Sequence, residues 1–86
     1  MTGDYICVVD DSVLEFFESR RKSEREELLR IFRSLAADPY QPGEWLQKTA
    51  SGQELQVKRF GRWLVTYWRD APVLELRIVD VKNVIR

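Results

Sequence analysis

Basic and aromatic side chains recur along the second half of the chain, and their chemistry is that of nucleic-acid contacts. Lys58, Arg62 and Arg77 are cations that can bind phosphate, and Trp68 can stack on a base. Single-stranded RNA is held by this combination of stacking and phosphate contacts. The spacing therefore predicts a phosphate-binding pair of Lys58 and Arg77 with Trp68 beside it. The alternative is ordinary cross-strand pairing of Lys58, Glu75 and Arg77 on a solvated sheet, which Trp68 covers.

The composition excludes several kinds of catalytic and metal site. The chain has no histidine and one cysteine, Cys7. A Ser-His-Asp triad, a Cys-His pair and histidine metal ligation are therefore excluded, and the single cysteine argues against structural zinc. We expect no cofactor and no metal, so any catalysis depends on carboxylates, Lys, Arg, Tyr or backbone groups.

The charge is unevenly distributed, although the net charge is zero. Residues 1–44 carry six Lys or Arg and ten Asp or Glu, whereas residues 45–86 carry eight and four. A basic second half can face a polyanion, but a free nucleic-acid binder is usually basic overall. The start lacks the basic and apolar regions of a secretory signal, and no apolar run is long enough to span a membrane. With a single cysteine, these features predict a soluble cytoplasmic protein, and a small homo-oligomer is compatible with them.

The first half of the chain has the pattern of one strand and two helices. Residues 4–9 are β-branched and aromatic, which predicts a strand. Capping boxes at residues 12–15 and 23–26 predict two helix starts, and the second helix ends near Ala37. A polar joint at residues 20–23 suits a two-helix hairpin. The predicted apolar stripes are Val13, Phe16 and Phe17 in the first helix and Leu28, Leu29, Phe32 and Leu35, with Ile31 at the margin, in the second.

The second half changes from a helical to a strand period. Two prolines and a glycine within residues 38–43 end the helical part. Short turns then separate runs with strand character, which indicates an antiparallel meander. The predicted strands are residues 44–49, 53–60, 62–69 and 73–81. We therefore expect one α+β domain over residues 1–86, ordered β-α-α-β-β-β(-β), with a two-helix hairpin on one face of a twisted, mainly antiparallel sheet.

Alternation along each strand assigns side chains to two faces. We expect the face under the helices to carry Leu55, Val57, Leu74, Leu76 and Ile78. The strand at residues 62–69 is ambiguous because both of its faces carry bulky side chains; with Trp63, Val65 and Tyr67 inward, Leu64, Thr66 and Trp68 lie on the other face. The uncovered face should then present Gln56, Lys58, Leu64, Thr66, Trp68, Glu75 and Arg77. An aromatic residue on an uncovered sheet face indicates a contact surface.

This order of elements resembles the RelE/ParE toxins of bacterial toxin–antitoxin systems. The second helix ends in Leu35-Ala36-Ala37-Asp38-Pro39, which is similar to the leucine, short gap and Asp-Pro of that family. Residues 52–58, GQELQVK, resemble the family's strand before its Gly-x-Tyr-Arg-x-x-Tyr segment, which here reads GRWLVTY at residues 61–67. The closing strand at residues 74–81 resembles the family's last core strand, so the resemblance covers nearly the whole chain.

The resemblance implies a degenerate member of the family. Ribosome-dependent members cleave messenger RNA at the 2′-hydroxyl with lysines and arginines on the open sheet face. Lys58 matches one basic position, but Gln56 and Leu64 replace a lysine and an arginine. Asn83 is nearest to a terminal arginine, and the family's C-terminal tyrosine has no counterpart. The catalytic candidates are therefore Lys58 and Arg77, and the nucleic-acid-binding candidates are Lys58, Arg62, Trp68 and Arg77.

Three functions remain open from the sequence. The resemblance implies a toxin component that binds a cognate antitoxin and acts as a weak ribosome-dependent endoribonuclease on messenger RNA. The first alternative is the gyrase-inhibiting branch, which lacks nuclease activity and tolerates the replaced positions. The second alternative is a non-toxic interaction module whose sheet face binds a protein.

Overall fold

The computed structural model describes residues 4–85 and contains the predicted elements in the predicted order. A short 3-10 turn at Ala71–Val73 connects the last two strands. The elements are β1 (Ile6–Val9), α1 (Asp11–Glu18), α2 (Lys22–Ala37), β2 (Trp45–Lys48), β3 (Glu54–Phe60), β4 (Trp63–Asp70) and β5 (Glu75–Asn83).

The five strands form one mixed sheet in the order β1-β5-β4-β3-β2. The strands from β2 to β5 form an antiparallel meander, as short turns require. The two helices carry the chain across the sheet after β1, so β1 lies parallel to β5 at the opposite edge. The predicted α+β fold with a mainly antiparallel sheet is confirmed.

Both helices begin earlier than the predicted capping boxes. Asp10, with extended backbone angles, is the N-cap of α1, and its carbonyl accepts hydrogen bonds from the N–H groups of Val13 and Leu14 at 2.9 and 3.0 Å. Arg21 is the N-cap of α2, and its N–H donates to Glu24 Oε1 at 3.2 Å. The predicted boxes at Ser12 and Ser23 are wrong, because the chain already turns into the helix at the preceding residues.

The core lies between the two helices and one face of the sheet. Val13 of α1 and the α2 stripe pack on β4 and β5, and the ring of Phe16 meets that of Trp63 edge-on, with centroids 5.9 Å apart. The predicted inward positions Trp63, Val65 and Tyr67 are confirmed, as are Leu76 and Ile78. The buried core residues are Val13, Leu28, Phe32, Leu35, Trp63, Val65, Tyr67, Leu76, Ile78 and Val81.

The face assignment of β3 is wrong. A two-residue turn with Gly61 at a φ of 62° pairs Phe60 with Trp63, and this register sets Lys58 opposite Val65 and Val57 opposite Thr66. Directly opposite residues share a face, so Leu55 and Val57 lie on the helix-free side. They are nevertheless buried, with 6% and 2% exposed, beside Trp45 of β2.

The last strand is displaced toward the C-terminus relative to the prediction. Leu74 has a φ of 54°, outside the strand range, so β5 begins at Glu75, and the ladder continues to Asn83. Leu74 is therefore not a core residue. An irregularity in the register leaves Val79 as an extra residue between Ile78 and Asp80.

Candidate functional site

The sheet face opposite α1 and α2, called the open face, carries mixed charge. Arg77 lies 2.8 Å from Glu75, and Lys82 lies 3.8 Å from Asp80. Both pairs join residues of the same strand, and each cation is partly neutralised by its carboxylate. The positive charge available to a phosphate on this face is therefore lower than the number of lysines and arginines there indicates.

Trp68 and Arg77 meet on the open face as predicted. They are directly opposite each other in the β4–β5 ladder, and both are half-buried. The guanidinium of Arg77 donates a hydrogen bond to Glu75 at 2.8 Å, so it is directed toward that carboxylate on its own strand. This pair is an aromatic surface with one adjacent cation, a combination that suits a base and its phosphate or a protein side chain.

Lys58 lies on the helix side, so the prediction that it shares a face with Trp68 and Arg77 is wrong. Its Nζ donates a hydrogen bond to Gln41 Oε1 at 2.8 Å and lies 5.2 Å from the ring centre of Phe60. The cause is the β3–β4 register, in which Lys58 is opposite the core residue Val65. Lys58 and Arg77 consequently cannot hold one phosphate from a common surface.

Gln56 also lies on the helix side and anchors the same loop. Its side-chain carbonyl accepts a hydrogen bond from Gly43 N–H at 2.7 Å. The Tyr67 hydroxyl donates to the Gln41 carbonyl at 3.2 Å, and burial raises the pKa of this phenol to about 12. These contacts, together with that of Lys58, hold the loop at residues 38–44 against the sheet.

Arg62 fastens the β3–β4 hairpin to α2. Its guanidinium lies 2.9 Å from Glu27 and 3.4 Å from Glu24, and 5.0 Å from the centre of the Trp63 ring. Trp63 Nε1 donates to Glu27 at 3.1 Å; this hydrogen bond, then that from Arg62, lowers the pKa of Glu27. The Arg21 N–H, followed by nearby arginines, lowers the pKa of Glu24. The charge of Arg62 is therefore already matched by carboxylates, away from Trp68.

An apolar groove, called the β1–helix groove, runs between β1 and the two helices. Its volume is about 400 Å³. Leu14 and Leu29 line it with 45% and 37% of their surfaces exposed. The sequence pattern does not predict this surface: it places Leu29 in the core stripe of α2, and Leu14 lies outside the stripe of α1. The feature of the sequence that could have indicated the groove is one apolar residue on each helix outside the buried set, Leu14 in α1 and Leu29 in α2. The lining residues are Ile6, Cys7, Val9, Val13, Leu14, Phe17, Leu29, Phe32, Arg33 and Ala36.

Cys7 lies in the wall of this groove. Burial raises the pKa of its thiol to about 11, so it is protonated at neutral pH and unsuited to act as a nucleophile. Within residues 4–85, no three His, Cys, Asp or Glu side chains converge as metal ligands. None of the helices described between these residues is both long and apolar enough to cross a membrane.

Comparison with known proteins identifies the fold. No protein-family model and no curated protein sequence matches the chain. The fold is similar to that of a chain in the crystal structure of an archaeal RelE–RelB complex from Pyrococcus horikoshii OT3, with a TM-score of 0.73 and 19% sequence identity. The alignment covers 98% of this chain and 99% of the other. From end to end, the chain therefore has a RelE-like α+β fold.

Proposed function

We propose that this protein is the toxin component of a toxin–antitoxin module and that its first biochemical act is to bind a cognate antitoxin. The observation that carries the proposal is the end-to-end similarity to a chain solved in a RelE–RelB complex. A fold by itself hosts many functions, so the surface must also suit a protein partner.

The β1–helix groove supplies such a surface. Its walls are apolar, and Leu14 and Leu29 expose large parts of their side chains there. Beside it, β1 lies at one end of the strand order, with backbone groups on its outer side. An extended or helical antitoxin segment can bury its apolar side chains in such a groove. We therefore assign antitoxin binding to this side of the molecule.

Expression in growing cells tests the proposal. Induction of the chain alone should arrest growth, and co-expression of a small adjacent reading frame that encodes the antitoxin should relieve the arrest. Leu14→Arg should prevent this relief, because it places a charge in the groove. Val84→Arg is the matched control, since Val84 is 42% exposed and lies outside the groove. Absence of arrest at high expression would favour the non-toxic interaction module.

The positions of the basic residues bear on how the toxin would act. Lys58 is committed to Gln41 on the helix side, whereas Trp68 and Arg77 adjoin on the open face. We infer that growth inhibition does not require Lys58 as a phosphate ligand. Lys58→Ala should still arrest growth at a temperature where the variant is folded, and loss of arrest in a folded variant would contradict this inference.

Ribonuclease activity at the open face remains a second candidate, supported by the Trp68–Arg77 pair. Cleaved messages after induction and their loss in Arg77→Ala would support it. Induced DNA damage with intact messages would instead identify gyrase as the target. Both targets are cytoplasmic, the compartment that the sequence predicts.

A further inference from the structure

The β1–helix groove adjoins a second cavity, called the Tyr40 pocket. Its volume is about 390 Å³, and it is lined by residues 4–5, just before β1, and by residues 36–40, where α2 ends. Ala36 lines the groove as well as the pocket, so the two cavities meet at this residue. A partner segment that lies in the groove can therefore extend a neighbouring side chain into the pocket.

Two tyrosine rings form a corner of the Tyr40 pocket. The ring centres of Tyr5 and Tyr40 are 6.3 Å apart, and the rings are inclined at 76° to each other. The Arg69 guanidinium lies 4.0 Å from the centre of the Tyr40 ring, but this arginine lines a neighbouring cavity and not the pocket. Aromatic rings attract cations to their electron-rich faces, and several rings around one pocket are a common site for organic cations. The corner therefore suits a positively charged side chain.

The charge around the Tyr40 pocket is negative. Asp4 and Asp38 line it and are exposed, and among the residues that the structure describes neither carboxylate takes part in an ion pair. The backbone carbonyls at the end of α2 add partial negative charge, and the last turn of this helix has no basic residue. Arg33 and Arg69 line the adjoining cavities, whereas within residues 4–85 no lysine or arginine lines the pocket itself. The pocket therefore has two carboxylates that are available to a cation.

The backbone that carries the Asp38 side of the pocket is held in place by several hydrogen bonds. Asp38 N–H donates to the Ser34 carbonyl at 3.1 Å, and the Asp38 carbonyl accepts from Gln41 N–H at 3.2 Å. Gln41 is itself fixed to the sheet by the hydrogen bonds that it accepts from Lys58 and Tyr67. A site that is formed before its partner arrives loses less entropy on binding. The pocket is therefore organised for a ligand in the free chain.

We propose that the Tyr40 pocket binds a lysine or arginine side chain of the antitoxin, next to the apolar residues that this partner places in the β1–helix groove. The inference rests on the proposed function and adds a charge requirement to it. The cationic head pairs with Asp4 and Asp38 and faces the two tyrosine rings, while its aliphatic stem lies along Ala36. An acidic side chain would be repelled there, and an apolar one would leave both carboxylates without a counter-ion. The groove thus selects apolar residues, and the pocket selects a basic residue beside them.

Titration calorimetry of the full chain with the purified antitoxin from the adjacent reading frame tests the pocket. The double variant Asp4→Asn, Asp38→Asn should bind about tenfold more weakly than the wild type, because two partly exposed ion pairs are lost. Glu15→Gln combined with Glu26→Gln is the matched control: it removes the same charge from exposed helix positions that line neither cavity, and it should bind like the wild type. Raising the salt concentration should weaken the wild-type complex more than that of the Asp4, Asp38 variant.

Charge exchange identifies the partner residue. Asp38→Lys should weaken binding further, and one antitoxin variant with a lysine or arginine changed to glutamate should bind the Asp38→Lys chain more tightly than it binds the wild type. Circular dichroism checks that each variant is folded. If Leu14→Arg prevents binding but the Asp4, Asp38 variant binds like its matched control, the pocket inference is overturned and the proposed function stands. If the wild-type chain does not bind the antitoxin, both are overturned.

Discussion

Replacement of Lys58 by methionine separates a structural role for this residue from a catalytic one. Methionine preserves most of the aliphatic stem but removes the ammonium group, which donates to Gln41 Oε1 at 2.8 Å and lies 5.2 Å from the Phe60 ring centre. If the side chain serves mainly to hold the loop at residues 38–44, the change should lower the free energy of unfolding. Growth arrest should persist wherever the variant is folded.

The expected loss of stability follows from these two contacts. A partly buried hydrogen bond from a charged donor contributes about 1 kcal/mol after allowance for solvent. A partly exposed cation–π contact contributes about 0.5 kcal/mol. Lys58→Met should therefore cost about 1.5 kcal/mol, or about 6–12 °C in Tm for a domain of this size. Arg77→Met, which breaks a partly exposed ion pair with Glu75, should cost less than about 1 kcal/mol.

Urea unfolding followed by tryptophan fluorescence measures both free energies. A double-mutant cycle that combines Lys58→Met with Gln41→Ala isolates the contact, and we expect a coupling energy of about 1 kcal/mol. Additive effects would show that the two side chains do not interact and would refute the role of Lys58 in holding the loop at residues 38–44. A wild-type stability for Lys58→Met combined with complete loss of growth arrest would refute the structural role.

Three further outcomes follow from the structure. Gly43→Ala should destabilise the protein by about 1–3 kcal/mol, since an added Cβ would lie 2.7 Å from the N and O atoms of Val57; urea unfolding measures this, and an unchanged midpoint would contradict the close approach. The lowered pKa values of Glu24 and Glu27 stabilise the fold above their ordinary value of 4.5, and this contribution should be lost as the pH falls through the folded values. Glu27→Gln should therefore flatten the acid side of the stability profile, and an unchanged slope there would argue against it. Cys7, with a pKa raised to about 11, should react slowly with a disulfide reagent at pH about 8 and about a hundredfold faster in denaturant; equal rates would exclude a buried thiol.

The local signals in the sequence were sufficient for the element order. Prolines and a glycine at residues 38–43 mark the change from helix to strand, and the α2 stripe of Leu28, Phe32 and Leu35 predicts the buried helix face. β4 was assigned correctly to its two faces. Each of these features depends only on residues close in sequence, so the pattern within one segment is enough to predict it.

The candidate site depends on how distant segments pair, and the prediction was correct for two of its residues and wrong for the third. Trp68 and Arg77 lie on one face as predicted: alternation in β5 is clear, and of the two faces open to the bulky β4, the prediction with Trp63, Val65 and Tyr67 inward is the one that the structure has. Lys58 was misplaced because β3 has an apolar residue set that suits either face. The face on which Lys58 lies is set by the turn at Gly61, which pairs Phe60 with Trp63 and therefore Lys58 with Val65.

The sequence by itself determined which segments become helices and strands, because hydrophobic period and turn residues act locally. Only the tertiary structure decided which face each side chain of β3 occupies and which carboxylates neutralise Arg62. It also decided which leucines stay exposed beside β1. The physical reason is that a shift of one residue in strand pairing reverses every side chain, and pairing is set by the whole sheet together.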